Sequence, residues 1–347
     1  MKSLPPESGL PDRGRPAGKR RRRWILRGAG LLLAAFLALN ALAFRHAEAM
    51  MTYRDGGRRS KPPEALTLPE KAWVLLTGVN LPRPETCGSP DSLSPDATEL
   101  ELLHPDGVRL NAWYADRGPG TPLVIVFHGY GADKCSLLPE AVTWLDLGCS
   151  VLLVDFRGSG GSSESYTTLG VEEALDVRLA VETARTSLRH GRIILHGVSM
   201  GAAAILRAVA YHGVHADALV LEAVFDRMRT TVANRFHAMG LPAFPAADLL
   251  VFWGGKRMGY NGFAHNPMED ARRVAMPTLI FQGQYDQRAR PEDGKRVFDA
   301  LPGEKHFVVF PEAAHVSFVT HNPGLWKSAL SPVLGGQGRK LSEEERP

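Results

Sequence analysis

Apolar positions along the chain fall into three regimes. From Gly28 to Phe44 they are almost continuous, GAGLLLAAFLALNALAF, with Asn40 the only strongly polar member. From 52 to 95 they are scattered among Pro62, Pro63, Pro69, Pro82, Pro84 and Pro90, a linker pattern with one short amphipathic stretch, Trp73 to Val79. From about residue 97 short apolar runs alternate with amphipathic ones. Ala97–Leu103 and Val108–Ala115, broken by Pro105-Asp106-Gly107, read as a hairpin. Leu123–Phe127, Val151–Val154, Ile193–Leu195, Leu219–Leu221, Thr278–Phe281 and Phe307–Phe310 are apolar throughout, as strands buried on both faces must be. Between them Leu137–Leu147, the stretch from Glu172 (Val171, Ala174, Leu175 and Leu179 on one face) and Ala202–Ala210 read as helices. Strands alternating with helices predict a mostly parallel, doubly wound α/β sheet with antiparallel strands at its N-terminal edge. Ligands of such sheets sit at the carboxyl ends of the strands.

The first apolar run would extend roughly 25 Å as a helix, the short end of a bilayer span. Trp24–Leu26 lengthen it if Arg27 snorkels. Three readings stay open: a retained anchor, a signal peptide cleaved near Ala41-Leu42-Ala43 or Ala47-Glu48-Ala49, and a buried core helix. Lys19–Arg23 directly before the run argue for an N-terminus held in the cytoplasm. The expected organisation is a basic cytoplasmic tail (1–23), a transmembrane anchor (24–44), a Pro-rich linker (45–95), an α/β domain (96–332) and a flexible tail (333–347). The α/β domain would then lie outside the inner membrane of a single-pass protein.

Charge separates these parts. Residues 1–23 carry eight Lys/Arg against Glu7 and Asp12, leaving 33 basic and 35 acidic residues in the rest of the 347-residue chain. A near-neutral body excludes a nucleic-acid-binding domain. Three cysteines exclude a disulfide-built scaffold and read as incidental or packing residues: Cys87, Cys135 and Cys149. No metal cluster and no phosphate-cradling loop is visible, so no cofactor or metal is expected.

Candidate chemistry lies at four strand ends. Gly197-Val198-Ser199-Met200-Gly201 stands between a strand and an Ala-rich helix, where glycines permit the sharp turn that lifts a serine hydroxyl clear of the backbone. His128-Gly129-Tyr130-Gly131 follows Leu123–Phe127, so the N–H groups of Tyr130 and Met200 are the candidate oxyanion hole. His128 reads as a structural loop residue, and His196 as one that packs. Asp286 follows Thr278–Phe281, and His315 follows Phe307–Phe310. A serine nucleophile needs a base, and that base needs a carboxylate to fix its tautomer. Ser199, Asp286 and His315 therefore form the candidate triad, with Asp226 the rival acid and His321 the rival base.

With these residues in place, the chain from about 96 to 332 resembles an α/β-hydrolase. It is similar to bacterial membrane-anchored serine hydrolases of the group with dipeptidyl-peptidase-like and acyl-thioesterase-like members. Asp155-Phe156-Arg157-Gly158-Ser159-Gly160-Gly161-Ser162 matches the D-x-R-G-x-G-x-S loop of that group, which implies a structural role for Asp155. The family's Val-Pro after the acid is replaced by Gln287-Arg288-Ala289-Arg290-Pro291. Residues 226–274, too long for a simple connection and rich in aromatics, read as a lid, helical in parts. The resemblance implies a serine hydrolase cleaving a carboxylic ester, thioester or amide of a small acyl or peptide substrate through an acyl-enzyme. The alternative is an inactive scaffold or binding protein on the same fold.

Overall fold

One eight-stranded sheet, in the order β1-β2-β4-β3-β5-β6-β7-β8, organises a computed structural model that describes residues 17–86 and 88–334, with only the backbone at 17–20. The strands are β1 (Thr98–Leu103), β2 (Arg109–Ala115), β3 (Leu123–Phe127), β4 (Ser150–Val154), β5 (Ile193–Val198), β6 (Ala218–Glu222), β7 (Thr278–Gly283) and β8 (Lys305–Phe310). The β1–β2 hairpin is antiparallel, as is the β2–β4 pairing, and the remaining pairs are parallel. The helices are α1 (Ala17–Met51), α2 (Leu68–Thr77), α3 (Leu138–Asp146), α4 (Glu173–Thr186), α5 (Met200–His212), α6 (Met228–Ala238), α7 (Ala246–Arg257), α8 (Pro267–Ala271), α9 (Pro291–Ala300), α10 (Phe318–His321), α11 (Pro323–Ala329) and α12 (Ser331–Leu334).

β3, β4 and β6 are buried at every position because both faces of the sheet are covered. Successive residues serve opposite faces. Ile125, Leu195 and Leu221 pack with Ala174 and Val177 of α4 and Ala202 of α5, while Val124, Ile194 and Val220 pack with Trp144 of α3 and Trp326 of α11. On α4 the buried stripe is Ala174, Val177, Ala180 and Ala184, with Leu175 and Leu179 of the expected face only half-buried. Pairing of Phe127 with Gly197 sets the ends of β3 and β5 level, so both of their loops open at the same edge.

The chain forms two compact units, one ending at Leu42 and one starting at Ala43. In the first, Leu31, Leu32 and Phe36 are exposed. Among the described residues α1 is the one helix long and apolar enough to cross a membrane. Of the expected basic tail, residues 1–16 lie outside the described residues, and Lys19–Arg23 form early turns of α1.

The second unit corrects the linker reading of 45–95. Tyr53 donates its N–H to Ser165 O at 2.7 Å, Thr167 donates its N–H to Met51 O at 2.9 Å, and Arg54 bridges Pro82. Arg83 donates to Gly160 O at 2.9 Å and Glu164 O at 3.2 Å, so this arm is fastened to the loop that follows β4. Met51, Tyr53 and Leu81 are buried beneath it. The amphipathic stretch is α2, begun by a capping box between Thr67 and Glu70 and ended at Gly78, whose φ of +87° suits glycine.

The cysteines also differ from expectation. Cys135 is disulfide-bonded, Cys149 is a buried free thiol whose pKa burial raises to about 11, and Cys87 lies outside the described residues. At the C-terminus the expected tail begins inside the fold. Val333 is buried, and Arg192 donates to Val333 O at 2.8 Å and Leu334 O at 3.1 Å. Residues 335–347 lie outside the described residues. Between β6 and β7, the helices α6, α7 and α8 occupy the expected lid, with Val232, Phe236 and Val251 packed inward and Phe244, Phe252 and Phe263 exposed.

Candidate active site

Ser199 occupies the junction of β5 and α5 with φ +53° and ψ −106°, a left-handed backbone that a non-glycine residue adopts only under constraint. The constraint comes from both sides. A Cβ at Gly201 would lie 2.4 Å from Phe127 O, and one at Gly197 would lie 2.6 Å from the Gly201 carbonyl carbon. Only glycine closes this turn. Ser199 N–H donates to Glu222 O at 2.8 Å, which fixes the turn to β6.

The loop after β3 stands beside the serine, since a Cβ at Gly129 would come 3.6 Å from Ser199 Cβ. Among the described residues no carbonyl accepts from the N–H of Tyr130 or of Met200. Met200 is also the first residue of α5, where the helix dipole favours negative charge. The loop is held from the arm: Tyr130 Oη donates to Met50 O at 2.6 Å, and Arg59 donates to Gly131 O at 2.5 Å and Tyr130 O at 3.3 Å. His128 is buried with both ring nitrogens used, Nε2 accepting from Phe156 N–H at 3.1 Å and Nδ1 donating to Gly129 O at 2.8 Å. Burial lowers its pKa, so it stays a neutral structural ring, as expected.

The loops after β7 and β8 interlock. Gln284 N–H donates to Phe310 O at 3.0 Å and Tyr285 N–H to Ala313 O at 2.8 Å. This brings Asp286 Oδ2 to 2.6 Å from His315 Nδ1. Asp286 Oδ1 accepts from the N–H groups of Arg288 (2.8 Å) and Ala289 (3.0 Å). Burial acts to raise the pKa of this carboxyl, but His315 and the two N–H groups outweigh it and hold the pKa below the usual aspartate value. An ionised carboxylate only accepts, so Nδ1 of His315 carries the proton and Nε2 presents its lone pair. Ser199 Oγ and His315 Nε2 are not hydrogen-bonded to each other; such bonds often tighten only around substrate.

The rivals are engaged elsewhere. Asp226 Oδ2 accepts from Arg296 Nε at 2.7 Å, and His321, exposed, donates Nε2 to Pro311 O at 2.8 Å. Asp155 is buried against Lys134 Nζ at 2.5 Å and accepts from the N–H of Gly161, a structural role. His196 accepts from Trp144 Nε1 at 3.0 Å, so its Nε2–H donates to Glu222 Oε1. The unusual Arg288 meets Glu64 of the arm at 3.1 Å.

Residues 119–249 match the family model described as serine aminopeptidase, S33. Over 217 residues the chain is 26% identical to the uncharacterized protein YqkD of Bacillus subtilis, covering 61% of this chain and 70% of that one. Over 242 residues it is 23% identical to an uncharacterized membrane protein of Saccharomyces cerevisiae, covering 69% and 80%. The esterase Pf2001 of Pyrococcus furiosus superposes with a TM-score of 0.62 at 25% identity, over 72% of this chain and 95% of that one. The chain is an α/β hydrolase by fold. The expected fold, with its antiparallel leading strands and an N-terminal apolar helix, is the observed one.

Two cavities in this fold escape sequence reasoning. One of about 20 Å³ lies against Ser199 and Met200. The other, of about 460 Å³, lies between α6 and the arm, where Leu66, Val74 and Leu75 face Phe236 and Met239. Met50, Tyr130, Val232 and Arg235 line both. Nothing in the local pattern of 46–81 signals a pocket wall, because its positions depend on long-range backbone pairing. Among the described residues no group of His, Cys, Asp and Glu is arranged to hold a metal.

Proposed function

We propose that this chain is a serine hydrolase that cleaves a carboxylic ester through an acyl-enzyme, with Ser199 as nucleophile. The observation that carries the reading is the 2.6 Å Asp286–His315 bond in loops at the same sheet edge as the strained Ser199 turn. Asp286 holds His315 in the tautomer that leaves Nε2 free to take the Ser199 proton. Ser199 Oγ attacks the ester carbonyl, and the N–H groups of Tyr130 and Met200 receive the oxyanion. His315 then protonates the leaving alcohol, and water, activated by the same ring, releases the acid. The likeness to an esterase at 25% identity supports an ester over a thioester or amide, both of which the same machinery could attack.

The domain lies outside the cytoplasm on a retained single-pass anchor. Basic residues Arg21–Arg23 ahead of the apolar stretch of α1 support an N-terminus inside, and a disulfide at Cys135 supports an oxidising compartment for the body. Incubation with a fluorophosphonate and with p-nitrophenyl esters tests the chemistry. Adduct formation on Ser199 together with ester turnover is expected. Absence of both would point to the inactive scaffold instead.

A further inference from the structure

The wall between the two cavities holds a cation with no ion-pair contact among the described residues. Four basic side chains line the larger cavity: Arg59, Lys61, Arg235 and Arg288. Lys61 is paired with Glu70 at 2.8 Å and Arg288 with Glu64 at 3.1 Å, while Arg59 is spent on the carbonyls of Tyr130 and Gly131. Arg235 has only its own helix, donating from Nη1 to Thr231 O at 3.1 Å and Thr231 Oγ1 at 2.9 Å. Among the described residues no carboxylate forms an ion pair with it, and Asp286 and Glu64 act on it only from a distance. Removal from water lowers its pKa. Arg157, by contrast, has its pKa raised despite burial, because Asp176 lies at 2.7 Å. A half-buried guanidinium whose neighbouring carboxylates, Asp286 and Glu64, act only at a distance is free to pair with the anion of a ligand.

Most of the remaining lining is hydrocarbon, with His46, Ser60 and Asn80 its polar members. Phe236 of α6 and Met239 just after it face Leu66 and the Val74–Leu75 side of α2, while Leu68, Trp73 and Leu76 of the same α2 are exposed. A volume of about 460 Å³ is that of a small-ligand site.

We propose that Arg235 receives an oxyanion, phosphate or carboxylate, of an anionic amphiphile whose hydrocarbon part fills the larger cavity. Because Arg235 also lines the cavity of Ser199, this amphiphile is the substrate class of the esterase reading, on which that last step rests. The planar fork of guanidinium matches either oxyanion bidentately, which a lysine would not.

Binding can be read without turnover. The full-length protein in phosphatidylcholine nanodiscs is titrated by calorimetry with hexyl phosphate, hexyl glucoside and inorganic phosphate. Hexyl phosphate should bind at least about tenfold tighter than either of the others. Arg235→Gln should weaken it about 10- to 100-fold, the loss of a charged hydrogen-bonded pair, with Arg235→Lys in between. Inorganic phosphate binding as tightly as hexyl phosphate would mean a free-phosphate site and overturn the amphiphile. Equal binding of hexyl phosphate and hexyl glucoside by the unsubstituted protein would overturn the anion site, whether or not the variants fold. A failed Ser199 label would fall on the esterase reading alone and leave these titrations decisive for Arg235.

Discussion

The phenol of Tyr130 donates to the carbonyl of Met50 at 2.6 Å, joining the loop that presents a candidate oxyanion donor to the last turn of the apolar N-terminal helix. The same loop stands beside the Ser199 turn, a Cβ at Gly129 lying 3.6 Å from Ser199 Cβ. The arm therefore helps set the position of this candidate oxyanion loop. Tyr130→Phe removes this one bond and keeps the ring. It should cost about 1 kcal/mol and lower kcat roughly 3- to 10-fold, with KM changed less. Steady-state kinetics on a p-nitrophenyl ester measure it, and an unchanged kcat would detach the loop's position from the arm.

Leu81 reports on the arm itself. A solvated linker leucine would cost under about 0.5 kcal/mol when truncated, whereas Leu81 is 4% exposed. Leu81→Ala should therefore destabilise the protein by about 2–4 kcal/mol in denaturant unfolding. A change within 0.5 kcal/mol would return the segment to a linker.

The sheet and the Ser199 turn were legible because both follow from local pattern. A strand covered on both faces must be an apolar run such as Leu123–Phe127, and a turn that Gly197 and Gly201 alone can close leaves its glycines in the chain. The arm was not legible. Its pairing of Tyr53 with Ser165 and of Arg83 with Gly160 spans about eighty to more than a hundred residues and leaves neither a period of 2 nor one of 3.6. Arg235 is likewise unremarkable in sequence, and becomes notable only when Thr231 proves to be its one hydrogen-bond partner among the described residues.

Asp286 and Asp226 separate by kinetics and stability. Asp286→Asn should lower kcat about 10³- to 10⁴-fold through the His315 tautomer. Asp226→Asn instead weakens the contact with Arg296 and should act mainly on thermal stability, with kcat within a few-fold. A reversed order of rate effects would move the acid to the loop after β6.

Glu140 predicts a pH dependence. Burial, and then the neighbouring Glu222, raise its pKa to about 7, with Ser317 Oγ donating to Oε1 at 2.6 Å and Oε2 unpartnered. The folded state binds this proton more tightly than the unfolded one, whose carboxyl titrates near its ordinary value. Its contribution is therefore fully present below the unfolded pKa and is lost as pH rises toward 7. Glu140→Gln imitates the protonated form. It should stabilise the protein by about 1–3 kcal/mol at pH 8 and change little at pH 4.5. Thermal midpoints at the two pH values measure the difference, and equal shifts would refute a proton held by Glu140.

The most direct measurement is intact mass of the purified full-length protein after fluorophosphonate treatment, with the adduct mapped by peptide sequencing. One adduct, located on Ser199, together with loss of esterase activity, is the expected result. Ser199→Ala should take no label, lose several orders of magnitude in kcat and keep its thermal midpoint, because the hydroxyl is a reacting group rather than a packing one. Ester turnover at the unsubstituted rate in Ser199→Ala, or an adduct on a different residue, would contradict the account.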